Sequence, residues 1–175
     1  MDVLGEAADK YAPLKKGHIT TRENVQYHHV PLEETTDLLR MLGDAGLSTR
    51  EACGNTVRNV VAAPSAGVSK DEVFDVTPYA AAYARYFLRH PTTQNMPRKS
   101  KTAFSGSEKD EAMVLMHDVG MVARIENGRR GFKIVLGGGL STSPMMAQTL
   151  RDFVPVKDFI KHCEAALRVF NRQDE

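Results

Sequence analysis

The spacing of hydrophobic and polar residues predicts the elements in the first third of the chain. Residues 1–16 are typical of a short helix that ends near Pro13. From His18 to Val30 apolar and polar positions alternate, which predicts one strand with a core face and a polar face. The core face would carry Ile19, Thr21, Val25 and Tyr27. The polar face would carry Arg22, Asn24, Gln26 and His28.

Two further helices are predicted from apolar stripes and their flanking residues. Pro31 suits the first position of a helix that Gly46 can close. Its apolar stripe is Leu32, Thr35, Leu38, Leu39 and Leu42. Thr77 and Pro78 suit the N-cap and first turn of another helix, which Pro91 ends.

The rest of the pattern predicts strands, a hairpin and two helices. The apolar run from Val57 to Ala63 predicts a short buried strand. Further strands are predicted over 99–105, 119–126 and 131–136, the last two forming a hairpin whose turn begins at Asn127-Gly128 and extends through Arg130. Ser143 and Pro144 predict a short helix, and a longer one follows with the stripe Phe159, Ile160, Cys163, Leu167 and Phe170. This order predicts a mixed α+β fold.

Composition and charge exclude several classes of protein. The chain has 175 residues, 42% hydrophobic and 26% charged, with a net charge of +1, which is typical of a globular domain without a field that attracts nucleic acid or membranes. No apolar run is long enough for a membrane span, and the first residues lack a signal-peptide pattern, so the expected location is the cytoplasm. Cys53 and Cys163 are far apart, and we expect both to be free thiols.

Basic residues are the first candidates for chemistry. Lys99 and Lys101 are two positions apart in a predicted strand and would project from one face, next to Arg98. Two ammonium groups at that spacing are favourable when an anion lies between them. The alternative is a solvated basic edge strand. Arg22 lies on the polar face of the first predicted strand, and the small and apolar residues around Arg58 predict partial burial, where an arginine needs an acceptor. The alternative for each is a surface or structural ion pair.

Glycines and histidines give weaker indications. Gly137, Gly138 and Gly139 follow a predicted strand, so their backbone N–H groups are candidates for binding a carboxylate or phosphate; a flexible turn is the alternative. His28 and His29 would point to opposite faces of a strand and cannot share one metal ion. No metal site is therefore predicted.

Four motifs, taken in order, resemble the nitrite/sulfite reductase family. They are TTRENVQYH at 20–28, STREACGNTVRN at 48–59, PRKSK at 97–101 and GFKIVLGGGL at 131–140. The resemblance runs from about residue 7 to about residue 172. It implies a partial ferredoxin-like half-domain over 1–47, followed over 48–175 by the α+β sirohaem-binding domain, truncated before the segment that binds the iron–sulfur cluster.

The resemblance also implies an activity and a site. Members of this family pass six electrons to nitrite or sulfite through sirohaem coupled to a four-iron four-sulfur cluster. By resemblance, the residues around the substrate anion and the sirohaem carboxylates are Arg22, Arg58, Lys99 and Lys101. Asn24 and Gln26 would be further sirohaem contacts, and the triple glycine would approach one of its carboxylates.

Departures from the family pattern define the alternatives. The chain lacks the paired cluster cysteines, and Ser100 stands where many relatives have an aromatic residue. We therefore expect a reductase fragment that is inactive alone, with ferredoxin or a flavoprotein as donor to the intact enzyme and with self-association through exposed edges. A stand-alone tetrapyrrole or anion-binding module without redox catalysis, and a precorrin-oxidising relative, remain alternatives.

Overall fold

A computed structural model of the chain describes residues 1–172 and divides it into two compact units, Met1–Arg50 and a second unit that begins at Glu51. The first unit contains α1 (Asp2–Tyr11), β1 (His18–Ile19), β2 (Val25–Gln26) and α2 (Thr35–Asp44). The second contains β3 (Val57–Ala62), α3 (Thr77–Phe87), β4 (Ser100–Ser105), β5 (Val119–Glu126), β6 (Arg129–Leu136), β7 (Gln148–Pro155) and α4 (Phe159–Arg172). The predicted α+β class is confirmed.

The first unit is built around the facing sides of its two helices. Leu38 and Leu42, four residues apart on α2, pack in one cluster with Ala7 and Tyr11 of α1. Tyr27 joins this cluster, and its hydroxyl donates a hydrogen bond of 2.8 Å to the Leu4 carbonyl. The predicted α2 stripe is only partly buried: Leu32 is 84% and Leu39 44% exposed.

The single strand predicted from His18 to Val30 is wrong, because the chain reverses within it. β1 and β2 are two residues each and pair antiparallel, with Ile19 opposite Val25. Thr20 Oγ1 accepts the N–H groups of Arg22 and Asn24, and Glu23 adopts a left-handed backbone with φ of 59°. Ile19 is consequently 75% exposed, not a core residue. Alternation in the sequence does not reveal a tight turn made by a threonine hydroxyl.

The second unit is a five-stranded sheet in the order β3-β4-β5-β6-β7. β3, β4 and β5 are parallel, and β5, β6 and β7 are antiparallel. α3 and α4 cover one face, where Tyr83 and Cys163 pack with Phe104, Phe132 and Ile134 of the strands. We call this the helix face; it holds the larger core.

The opposite face of the sheet has a smaller cluster. Val61, Ala103, Val122 and Val135 alternate with the helix-face residues and pack against Val114, which begins a 3-10 helix. Gly120 permits this close approach, because a Cβ there would lie 2.7 Å from the Val114 carbonyl oxygen. We call this the loop face.

Three local predictions are corrected. The β5–β6 turn contains only Asn127 and Gly128, both at positive φ, so Arg130 is a strand residue opposite Ile125. α3 includes Thr77, whose N–H is bound by Asp75 Oδ1 at 2.8 Å, so Thr77 is not the N-cap. The Ser143-Pro144 pair lies in a turn closed by the Gly139–Met145 bridge, where a helix was predicted, and β7 follows.

The long helix α4 is confirmed, with Phe159, Cys163 and Leu167 buried and Phe170 39% exposed. β3 is confirmed over Val57–Ala62. Across residues 1–172, every helix falls short of the length and apolar character that a membrane span requires.

Candidate functional site

Arg58 and Lys101 are direct neighbours in the sheet. They are register partners on the parallel strands β3 and β4, and adjacent strands lie about 4.8 Å apart. Val57 of β3 belongs to the helix-face core, and Thr102 of β4 hydrogen-bonds Tyr83 of α3 on that same face. Because neighbouring residues of a strand point to opposite faces, Arg58 and Lys101 project toward the loop face. The strands therefore place two cations side by side at the end where both strands begin.

The backbone around Arg58 fixes the direction of its side chain. Arg58 Nε donates a hydrogen bond of 2.8 Å to the carbonyl of Gly54, which has φ of 93°. A β-bulge follows, since the register shifts between Arg58 and Val60 and Asn59 has φ of 29°. Arg58 is half-buried, so part of the residue is open to solvent.

Lys99 immediately precedes β4, which begins at Ser100 rather than at the predicted residue 99. It is half-buried and two positions before Lys101. The segment before β4 is joined to the segment before β3: Asn55 Nδ2 donates to the Pro97 carbonyl at 3.3 Å, and the Ser100 N–H donates to the Thr56 carbonyl at 3.0 Å. These bonds hold the segments that carry the three cations at the end of the sheet where β3 and β4 begin.

Asp118 lies at the same end of the sheet and was missed by sequence reasoning. Its Oδ2 accepts the backbone N–H of Lys101 at 2.8 Å, and it directly precedes β5. The pattern gave no signal for it, because a single aspartate before an apolar strand is ordinary turn chemistry. Only the parallel pairing of β4 with β5 brings it to Lys101.

The triple glycine lies beside the same end of the sheet, but its N–H groups already donate hydrogen bonds to backbone carbonyls. Gly137 donates to the Asp118 carbonyl at 2.9 Å, Gly138 to the His117 carbonyl at 3.0 Å, and Gly139 to the Met145 carbonyl at 2.9 Å. The expectation that these N–H groups are open to a carboxylate is therefore not met in this conformation. A Cβ at Gly137 or Gly139 would meet nothing within 4 Å, so the backbone there is open to a ligand's approach.

Arg22, Asn24 and Gln26 belong to the first unit and do not share one strand face. Arg22 lies in the turn between β1 and β2, while Gln26 ends β2. Asn24 Nδ2 donates to the Arg22 carbonyl at 3.2 Å, so its side chain supports the turn. The convergence of Arg22 with Arg58, Lys99 and Lys101 stays a prediction.

The two thiols differ in burial, and neither belongs to a group of metal-binding side chains within residues 1–172. Burial raises the pKa of Cys163 to about 12, as expected of a thiol within the helix-face core, whereas Cys53 is exposed. Within residues 1–172, no three histidine, cysteine, aspartate or glutamate side chains are grouped so that they could hold a metal ion. The two cysteines therefore do not fit a four-iron four-sulfur cluster, which takes four thiolates.

Comparison with known families agrees with the motifs. Residues 53–175 match the family described as "Nitrite and sulphite reductase 4Fe-4S domain", and residues 1–45 match "Nitrite/Sulfite reductase ferredoxin-like half domain". The chain belongs to the nitrite and sulphite reductase family. The predicted resemblance and the ferredoxin-like character of the first segment are confirmed. The predicted boundary at residue 47 and the predicted truncation stay predictions.

Relatives in this family include both sulfite and nitrite reductases. The chain is 37% identical over 172 residues to "Sulfite reductase [ferredoxin] 1" of Mycolicibacterium paratuberculosis, covering 97% of this chain and 30% of the relative. It is 29% identical over 173 residues to "Ferredoxin--nitrite reductase" of Leptolyngbya laminosa, covering 96% and 34%. The chain thus spans about a third of the length of these relatives.

Two solved structures share the fold. The NirA protein of Mycobacterium tuberculosis superimposes with a TM-score of 0.86 at 37% identity, covering 97% of this chain and 31% of NirA. Dissimilatory sulfite reductase I superimposes with a TM-score of 0.76 over 99% of this chain and 60% of its own. At 10% identity the second likeness shows the fold alone.

Proposed function

We propose that this chain supplies the basic, anion-binding part of a sirohaem-dependent reductase that transfers six electrons to nitrite or sulfite. The observation that carries the proposal is the register pairing of Arg58 with Lys101 on the loop face, with Lys99 two residues away. Membership of the family supports it. Because the chain spans about a third of its relatives, the activity of the whole enzyme is part of the proposal.

The charge of the ligands explains why such a site needs cations. Sirohaem carries several carboxylates, and nitrite and sulfite are anions, so both are attracted by fixed guanidinium and ammonium groups. Arg58 and Lys101 lie on neighbouring strands, and a planar guanidinium beside an ammonium can bind one oxyanion from two directions. The residues present fit the carboxylates of sirohaem in this chemical sense.

When bound, sirohaem would pass electrons from the enzyme's donor to the substrate. The work of this chain's residues is to hold the anion and to donate hydrogen bonds as its oxygen atoms gain negative charge. In this proposal Arg58, Lys99 and Lys101 of the second unit hold the anion, and a role for Arg22, Asn24 and Gln26 of the first unit stays the expectation that the family resemblance gives. Gly137, Gly138 and Gly139 would border a sirohaem carboxylate at positions without side chains.

The iron–sulfur cluster needs ligands from outside these residues. Cys53 is exposed and Cys163 is in the core, so neither forms a close pair with another thiol. We propose that another part of the enzyme supplies the cluster thiolates, and that ferredoxin is the electron donor, as the names of the relatives suggest for them.

Titration with iron sirohaem tests the proposal. The purified full chain is titrated while visible absorbance is followed, with and without sulfite, for the parent protein and for Arg58→Ala and Lys101→Ala. We expect each substitution to weaken binding by about tenfold, the factor that about 1.4 kcal/mol represents. The control is Arg129→Ala, which removes an exposed cation at the far end of β6. Equal affinity in all four proteins would refute the proposed site.

The alternative function is a tetrapyrrole or anion-binding module without redox catalysis. The lack of paired cysteines in the chain favours it. A dye-linked reductase assay on the sirohaem-loaded chain, alone and after addition of the rest of a related reductase, separates the two. Turnover only in the presence of the added part supports the reductase fragment; tight sirohaem binding with no turnover in either supports the binding module.

A further inference from the structure

The two residues before β5 join two parts of the candidate site. Asp118 Oδ2 accepts the Lys101 N–H at 2.8 Å, and the Asp118 carbonyl accepts the Gly137 N–H at 2.9 Å. The adjacent His117 carbonyl accepts the Gly138 N–H at 3.0 Å. Asp118 is therefore hydrogen-bonded on one side to Lys101 and on the other to the turn formed by Gly137, Gly138 and Gly139, which we call the glycine turn.

The contact between this segment and the glycine turn is close. A Cβ on Gly138 would lie 2.4 Å from the Leu115 carbonyl oxygen and 2.7 Å from that of His117. Contacts this short with backbone leave no room for a side chain. The glycine turn thus rests on the segment from Leu115 to Asp118, and a displacement of that segment moves the turn with it.

A carboxylate at this place is unfavourable for binding an anion by charge alone. Its charge would reduce the attraction of Lys101 and Arg58 for a sirohaem carboxylate or an oxyanion. Its hydrogen bond acts in the opposite sense, because it fixes the backbone from which the Lys101 side chain extends. The two effects have opposite signs, which allows an experiment to separate them.

We propose that Asp118 is a positioning residue for anion binding, which holds Lys101 and the glycine turn at a fixed separation. This inference rests on the proposed function of the Arg58–Lys101 pair. Asp118 acts through the backbone of Lys101 and Gly137, and its position gives the cation and the turn one common support.

The test is a titration of the full chain with iron sirohaem, followed by visible absorbance. Asp118→Ala removes both the charge and the acceptor, Asp118→Asn keeps an acceptor oxygen without the charge, and Asp118→Glu keeps the charge but displaces the acceptor by one methylene. Glu126→Ala, at the other end of β5, is the control for loss of one negative charge. Thermal unfolding of each variant reports whether the fold is retained.

We expect Asp118→Ala and Asp118→Glu to weaken binding by about fivefold or more, and Asp118→Asn to bind at least as tightly as the parent protein. If charge alone matters, Asp118→Ala binds more tightly than the parent protein and the inference is overturned. Should Asp118→Ala fail to fold, parent-like affinity in Asp118→Glu overturns it equally. If instead Lys101→Ala also binds like the parent, the proposed function fails, which is a distinguishable result.

Discussion

The hydroxyl of Tyr86 donates a hydrogen bond of 2.6 Å to Glu164 Oε2, which joins the end of α3 to the middle of α4. Arg168 lies 2.6 Å from the other carboxylate oxygen, and the ring of His90 stacks on Tyr86 with 5.0 Å between centroids. Only 13% of the Glu164 side chain is exposed. This cluster secures α4 against the helix that it neighbours on the sheet.

Stability should depend on pH through Glu164. The hydrogen bond from Tyr86, aided by Arg168, lowers the pKa of this carboxyl below its ordinary value. A carboxyl with a lower pKa in the folded state adds stability above the unfolded-state pKa, about 4.3, and that stability is lost as pH falls through the folded value. Urea unfolding of the parent and of Glu164→Gln from pH 7 to 3 measures this.

We expect Glu164→Gln to lower the free energy of unfolding by about 1 kcal/mol at pH 7. The difference between the two proteins should shrink as pH falls through the lowered pKa of Glu164, because protonation removes the charge that distinguishes this side chain from glutamine. Tyr86→Phe is the matched control, because it removes the donor and leaves the ring. A difference that stays constant over the whole pH range would contradict this account of the cluster.

Removing a buried hydroxyl from β4 should stabilise the fold. Ser100 is 3% exposed, and within residues 1–172 its Oγ has no hydrogen-bond partner. A buried polar group without a partner costs about 1–3 kcal/mol, so Ser100→Ala should raise the free energy of unfolding by about 1 kcal/mol. Chemical denaturation of the two proteins is the measurement.

Thr102→Val is the control for that prediction. Thr102 is fully buried two residues further along the same strand, but its Oγ1 donates to the Tyr83 hydroxyl at 3.2 Å. This substitution should therefore lower stability, by about 1 kcal/mol. If both variants are destabilised to the same degree, the Ser100 hydroxyl has a partner in solution and the prediction is wrong.

The glycine turn allows a steric prediction within three consecutive residues. Gly138→Ala would place a Cβ 2.4 Å from the Leu115 carbonyl oxygen, whereas Gly139→Ala meets nothing within 4 Å. We expect Gly138→Ala to cost about 2–3 kcal/mol, as overpacking commonly does, and Gly139→Ala to change stability by less than about 0.5 kcal/mol. Equal melting temperatures for the two variants would show that the turn is looser in solution.

The two thiols should react at very different rates. Burial raises the pKa of Cys163 to about 12, so the reactive thiolate is scarce at pH 8, while Cys53 is exposed. An aromatic disulfide reagent should modify one thiol quickly in the native protein and the second only after unfolding. Cys53→Ser should abolish the fast phase. Two fast thiols in the folded protein would refute the buried position of Cys163.

Sequence reasoning predicted the elements that have a strong period or a long apolar run. β5, β6 and α4 fall into this class, because β5 and β6 contain runs of adjacent buried residues and the buried residues of α4 recur at intervals of four. β7 was missed because its first five residues are exposed and the strand therefore lacks an alternating pattern of apolar and polar residues. The β1–β2 turn was missed because Thr20 makes it with a side-chain hydroxyl.

The site was predictable in composition but not in arrangement. The motifs indicated Arg58, Lys99 and Lys101 as candidate cations, yet the pairing of Arg58 with Lys101 depends on which strands are neighbours and in which register. Register is a property of the whole sheet. Asp118 could not be found from sequence for the same reason, since its contact with Lys101 depends on β4 and β5 being neighbouring parallel strands.

The bulge at Asn59 makes β3 tolerant of one particular deletion. Val57, Val60 and Ala62 pack on the helix face and Val61 on the loop face, so the strand alternates regularly when Asn59 is left out of the count. A shortened relative that lacks this residue would keep its arginine on the same side of the sheet. Deletion of a residue after the bulge would instead reverse the face to which each following side chain of β3 points, so that valine side chains would exchange between the helix-face and loop-face cores.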